Sequence, residues 1–230
     1  RFEQEVAATT QLTHPNTVRV FDYGVTEDGI WYYAMELLDG MTLKELVLEA
    51  RHLDVQRALR IAHHVARALA EAHLHGIVHR DIKPENIFIT RAGNESDFVK
   101  VLDFGIAKFK EFEGADSLTK PGAIFGTPAY MSPEAARGKV VGPASDVYGV
   151  GAVLYFMLTG SPPFSGRNPT EVLLAHVERC APNVTETAGI TVDTKVEHLV
   201  QRCLNKLPEQ RYSDATELAE ALAVLRRALQ

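Results

Sequence analysis

Residues 77–89 read IVHRDIKPENIFI. Two apolar ends enclose His79, Arg80, Asp81, Lys83, Glu85 and Asn86, more charge and hydrogen-bonding capacity than a folded core ordinarily accepts. Upstream, Leu59, Ala62, Val65, Ala66, Leu69 and Ala72 recur at helical spacing behind an N-cap at Asp54, and Gly76 stops the pattern. Downstream, Ile87 to Thr90 and Val99 to Leu102 read as two short strands joined by the polar loop RAGNESD. The stretch therefore leaves a long helix, crosses a loop and departs on a strand. Reactive groups concentrate on loops held between rigid elements in this way.

The residue types give that loop a chemistry. Asp81 and Asn86 share it, and Asp103 follows the second strand in LDFG. A carboxylate and an amide oxygen are hard ligands suited to Mg²⁺, which usually keeps a substrate phosphate in its shell. Lys83 places an ammonium beside the same point. A phosphoryl group in transfer needs positive charge on its oxygens and a carboxylate to orient the attacking hydroxyl. Either HRD or DFG alone is more often a capped turn than an active site, but here they occur together, in order and in a strand and loop context.

Composition narrows the classes. The chain has 230 residues, 46% hydrophobic and 23% charged, enough to bury a sizeable core and inconsistent with disorder. A net charge of −6 and the lack of a Lys/Arg cluster argue against nucleic acid or an anionic membrane surface as partner. The longest apolar run, Val147 to Leu158, falls short of the roughly 20 residues that span a bilayer and reads as a buried helix. Cys180 and Cys203 are too far apart for a CxxC motif and are expected as reduced thiols in a cytoplasmic protein. The start, RFEQEV, has neither an initiator Met nor a signal pattern.

The remaining pattern divides unequally. A helix is expected over 2–12, broken by His14-Pro15-Asn16, followed by strands over 17–23 and 30–36 joined through Glu27-Asp28-Gly29. Thr42 and Glu45 form a capping box ahead of LKELVLEA. Residues 106–133 are irregular and too long for a passive connector. Helical patterns return over 144–159, 169–179, 193–206 and 213–229. His73 and His75 lie two apart on a helix and so cannot share a metal on one face.

HRDIKPEN, DFG, GTPAYMSPE, SDVYGVG and LPEQRYSDATEL, in this order, resemble the eukaryotic-type protein serine/threonine kinases, in particular their bacterial members. The resemblance implies an α+β, kinase-like fold, with 1–38 as a remnant of the small lobe and 39–230 as the mostly helical large lobe. It implies that Asp81 is the catalytic base, that Lys83 stabilises the transferred phosphate, and that Asn86 and Asp103 hold Mg²⁺, or Mn²⁺ in its place. His79 and Phe104 would stack behind the catalytic loop, Asp146 would anchor that loop from beneath even if it also caps its helix after Ser145, and Glu134 would pair with Arg211 in a buried salt bridge. Thr127 would bond Asp81 and Lys83, which together with Lys83 itself points to Ser/Thr hydroxyls of a protein substrate.

ATP recognition follows from the same resemblance: Met35 would be the gatekeeper, the Glu36 carbonyl and Leu38 N–H would bond the adenine edge, and Phe88 would pack under the ring. Arg80 beside Asp81 implies an activation segment that docks on it when phosphorylated, with Thr119 as the site and Pro121 where a second threonine often stands. Glu5 matches the glutamate that pairs with a strand lysine, but the first lysine is Lys44, and Tyr148-Gly149-Val150-Gly151 is no substitute for a G-x-G-x-x-G loop. The expectation is a fragment of an active kinase whose Gly-rich loop and lysine lie upstream, with the backs of Val18, Val20, Tyr32 and Ala34 left as an open sheet edge. The alternative is a complete, non-catalytic pseudokinase or scaffold module. On the kinase reading the partners would be ATP and a protein carrying Ser or Thr, and a longer chain could carry a membrane anchor of its own.

Overall fold

A computed structural model describes residues 9–92, 95–104, 128–189 and 191–229. The expectations for Glu5, for Thr119 and Thr127 and for most of the opening helix fall outside these residues.

The first described elements form a hairpin. Strands β1 (Val20–Val25) and β2 (Trp31–Met35) pair antiparallel, with Tyr23 opposite Tyr33. The turn closes through Thr26 N to Ile30 O at 2.8 Å, with Gly29 at a φ of 80°, a conformation that favours glycine. The strands begin later than the sequence pattern indicates, because Thr17 and Val18 belong elsewhere. Val18 N donates to Val101 O at 3.0 Å and Val101 N to Asn16 O at 2.7 Å. This pairing buries Val18, which is 6% exposed, so it is not part of an open edge, whereas Tyr32 and Ala34 are exposed.

A second sheet has the order β3 (Gly40–Thr42), β4 (Ile87–Ala92), β5 (Glu95–Val101), all antiparallel. Strand β3 is too short to show periodicity and escapes a sequence reading. It depends on Gly40, where a Cβ would lie 2.1 Å from the Ile89 carbonyl oxygen. Strands β4 and β5 run further into RAGNESD than its polarity indicates. Asp97 can be buried there because Arg57 and Arg60, one helical turn apart on the neighbouring helix, both bind its carboxylate.

Eight α-helices and three short 3₁₀ turns are the other regular elements of the described residues. Helix α1 (Leu43–Ala50) starts at the Thr42/Glu45 capping box, and α2 (Val55–Leu74) starts at Asp54, whose carboxylate accepts Arg57 N at 2.9 Å. Then come α3 (Pro133–Ala136), α4 (Pro143–Thr159), α5 (Pro169–Glu178), α6 (Val184–Ala188), α7 (Thr194–Cys203) and α8 (Ala215–Ala228). Helix α4 is buried on every side from Ser145 to Leu158, the pattern of a helix at the centre of a core, and α2, α7 and α8 pack around it. Its two glycines permit close approach: a Cβ at Gly149 would come 2.9 Å from Ile82 Cβ, and one at Gly151 2.4 Å from Cys203 Cβ. The Gly-containing stretch 148–151 is thus a packing surface within α4. No helix of the described residues is long and apolar enough to cross a membrane.

Candidate active site

The site begins at Asp146, which is 1% exposed in the first turn of α4. The helix starts at Pro143 with Gly142 as its N-cap, so Asp146 is not the cap that its place after Ser145 allows. Its carboxylate turns outward to the loop instead, accepting His79 N and Arg80 N, each at 2.8 Å, with His73 Nε2 at 2.9 Å. Since His73 Nδ1 accepts Ala215 N at 3.2 Å, the proton sits on Nε2 and a neutral imidazole satisfies both bonds. One buried carboxylate thereby fixes the backbone on the N-terminal side of Asp81.

His79 fixes the other side. Its Nδ1 accepts Asp81 N at 3.3 Å, so its Nε2 donates to Leu102 O at 2.8 Å, and its ring lies 4.8 Å from that of Phe104. Arg80 and Asp103 have φ values of 69° and 58°. Left-handed backbone in residues other than glycine costs free energy and clusters at functional sites, where surrounding bonds hold it.

Asp81, Lys83 and Asn86 meet directly. Asp81 Oδ2 takes Lys83 Nζ at 2.6 Å and Asn86 Nδ2 at 3.1 Å, and Asn86 Nδ2 also donates to the Asp81 carbonyl at 2.8 Å. This leaves Asp81 Oδ1 free of hydrogen bonds among the described residues. Asn86 closes the 3₁₀ turn Pro84–Asn86, and its carbonyl accepts Leu102 N at 2.9 Å, which holds it one residue from Asp103 in the chain. With both amide donors committed to Asp81, the Asn86 Oδ1 is the atom left to bind a cation. Asp103 supplies the carboxylate: Oδ1 accepts Tyr33 O–H at 3.0 Å and Oδ2 accepts nothing among the described residues. One amide oxygen and one carboxylate match Mg²⁺, which takes few protein ligands and fills its shell with phosphate and water.

Tyr33 is a member of this group that the sequence reading missed. It lies in YYAM, where every side chain looks like ordinary strand filling, and only its register on β2 brings the phenol to Asp103. Burial and the adjacent Asp103 charge push its hydroxyl up to about 12. It therefore stays a neutral donor.

The remaining residues are placed as follows. Met35 closes β2, 42% exposed, and Phe88 is half-buried on β4 opposite Lys100. The Glu36 carbonyl and the Leu38 N–H have no partner among the described residues, while the Glu36 carboxylate binds Lys100 Nζ at 2.6 Å and Arg19 N at 2.8 Å. Further down, Arg211 makes a two-pronged pair with Glu134, each bond 2.8 Å. Burial alone would raise the Glu134 pKa, but the hydrogen bonds from Arg211 and Ser145 outweigh it and hold the carboxyl down at about 2.

A model described as the protein kinase domain matches residues 1–223. The chain belongs to the protein kinase domain family. Among similar kinases, serine/threonine-protein kinase pkn3 of Myxococcus xanthus is 40% identical over 217 residues, covering 94% of this chain and 40% of that protein. Serine/threonine-protein kinase PknB of Mycobacterium tuberculosis (strain ATCC 25618 / H37Rv) is 40% identical over 222 residues, or 95% and 34% of the two chains. Serine/threonine-protein kinase PrkC of Bacillus subtilis is 38% identical over 218 residues, or 95% and 32%. The kinase chain described here thus spans well under half the length of these relatives. Its mostly helical body and two small antiparallel sheets are the kinase fold.

Proposed function

We propose that this chain carries out the phosphoryl-transfer step of a bacterial serine/threonine protein kinase, passing the γ-phosphoryl of ATP to a Ser or Thr hydroxyl of a protein. The observation that carries the proposal is the bonding around Asp81. With Oδ2 occupied by Lys83 and Asn86, Oδ1 is left to accept the hydrogen of an incoming hydroxyl and aim its oxygen. The Lys83 ammonium, at 2.6 Å, stands beside that hydroxyl and balances charge on the phosphoryl oxygens. Asn86 Oδ1 and Asp103 Oδ2 would hold Mg²⁺, which when bound draws off the charge that develops on the phosphates. The unpaired Glu36 carbonyl and Leu38 N–H supply one acceptor and one donor to the adenine edge, with Phe88 beneath it.

Positioning accounts for most of phosphoryl-transfer catalysis, and here the backbone of 79–81 is held from α4 on one side and by His79 on the other. Thr119 as the regulatory site, Thr127 as a partner of Asp81, and Glu5 as the partner of a lysine remain part of the proposal on the strength of family resemblance. The test is Mg·ATP-dependent labelling of a generic protein substrate on Ser and Thr. Asp81→Asn keeps the size and the bond to Lys83 but weakens the base, and is expected to lower the rate by about a hundredfold to ten-thousandfold. Equal labelling by the variant and the parent would refute the assignment of Asp81. A parent that binds ATP and never labels would favour a scaffold role.

A further inference from the structure

Strand β2 and the end of β5 are joined by two contacts in matching register. Glu36, just past β2, binds Lys100 Nζ through Oε1 at 2.6 Å, and three residues away along each segment Tyr33 O–H donates at 3.0 Å to Oδ1 of Asp103, just past β5. The first contact sets where the hairpin sits. The second reaches the carboxylate assigned above to the cation.

We infer that Tyr33 is a positioning residue for Asp103, orienting the carboxylate so that Oδ2 faces the cation and thereby setting divalent-metal affinity. The inference rests on the reading of Asp103 as a metal ligand. Asp103 lies just past β5 in left-handed backbone, with a φ of 58°, outside the strand ladder. Among the described residues the Tyr33 hydroxyl is the sole group bonded to that side chain. Ligating carboxylates are themselves usually hydrogen-bonded, and removing that outer partner typically weakens metal binding. A neutral phenol suits the task, since it holds one oxygen without cancelling the charge that attracts the cation. Because Tyr33 belongs to the hairpin and Asp103 follows the three-stranded sheet, the bond also ties metal affinity to the position of one relative to the other.

The experiment measures free Mn²⁺ by electron paramagnetic resonance while the protein is titrated in the presence of a non-hydrolysable ATP analogue. Tyr33→Phe removes one oxygen from a side chain that is 40% exposed, so the fold should persist, with an unchanged circular dichroism spectrum and thermal midpoint. The expected result is Mn²⁺ binding weakened about tenfold, the low end of outer-partner effects. Tyr32→Phe is the control: the same change one residue away, in a side chain whose hydroxyl is directed to Asp22, should leave affinity unaltered. Tighter or unchanged binding in Tyr33→Phe, or equal weakening in Tyr32→Phe, overturns the inference. Asp103→Asn separates the two levels. If it abolishes Mn²⁺ binding while Tyr33→Phe has no effect, the positioning role alone falls; if it changes nothing, the metal-ligand reading falls and the inference with it.

Discussion

Replacing Arg211 by Met should be among the costliest single changes in the molecule, and the cost can be worked from two sides. The Arg211 side chain is 0% exposed. Besides both oxygens of Glu134, its donors satisfy the carbonyls of Ala144 at 2.8 Å, Asn205 at 2.8 Å and Lys206 at 3.1 Å. Removing one partner of a buried pair costs about 3–5 kcal/mol, since the other charge is left without compensation. Independently, Glu134 titrates at about 2 in the folded chain against an ordinary 4.5. At 1.36 kcal/mol per unit, this difference amounts to roughly 3 kcal/mol. The two routes agree, and the three abandoned carbonyls push toward the upper end.

Urea unfolding at pH 7 of the parent, Arg211→Met and Glu134→Leu/Arg211→Met measures this. The single variant should lose about 3–5 kcal/mol, and the double should lose less because no buried charge is left. The sign of the pH dependence follows from the depressed value: the Glu134 contribution is fully present above about 4.5 and is lost as pH falls toward about 2, so the gap between parent and single variant narrows over that interval. A loss below about 1 kcal/mol at pH 7, or a gap that widens in acid, would refute the reasoning.

Other outcomes follow from the same structure. Gly149→Ala drives a methyl group against Ile82, adjacent to Asp81, and should cost about 1–3 kcal/mol in urea unfolding while lowering phosphoryl transfer more than that loss of folded protein explains. His63 and His64 are pulled down to about 4, by burial first and then by Arg226. The unfolded chain therefore takes up protons that the folded one does not, and stability should fall as pH drops from about 6.5 to about 4; His64→Gln should flatten that slope in thermal melts at stepped pH. The Cys203 thiol is fully buried and pushed up to about 12, whereas Cys180 is exposed. Iodoacetamide should label one thiol in the native protein and two in urea, as counted by mass spectrometry.

Much of this was legible in the sequence. Helix α2 announces itself by its apolar stripe, α1 by its capping box and α4 by a run too apolar for any surface. Asp81, Asn86 and Asp103 stood out as a candidate site because hard oxygen ligands and a nearby ammonium have few other uses in so apolar a frame, and the structure brings Asp81, Lys83 and Asn86 into contact. What stayed hidden depends on distant parts of the chain. Strand β3 exists because Gly40 lets its backbone meet Ile89, and Asp97 extends β5 only because two arginines from another helix reach it. Val18 leaves the hairpin for Val101, a choice that the alternation within 17–23 does not reveal. Tyr33 has no local mark of function at all. Its role arises from a register that only folding establishes.

Asp146 has a consequence for how the protein fails on heating. It belongs to the helix least accessible to water, yet the amide protons it holds are those of His79 and Arg80. Those amides should therefore exchange with solvent only when the whole body opens, among the slowest in the molecule, while those of the half-exposed hairpin exchange early. The loop proposed to carry the chemistry should then keep its geometry until global melting, while the adenine and metal contacts proposed for the hairpin loosen earlier. In this chain the hold on residues 79–81 lasts as long as the core does.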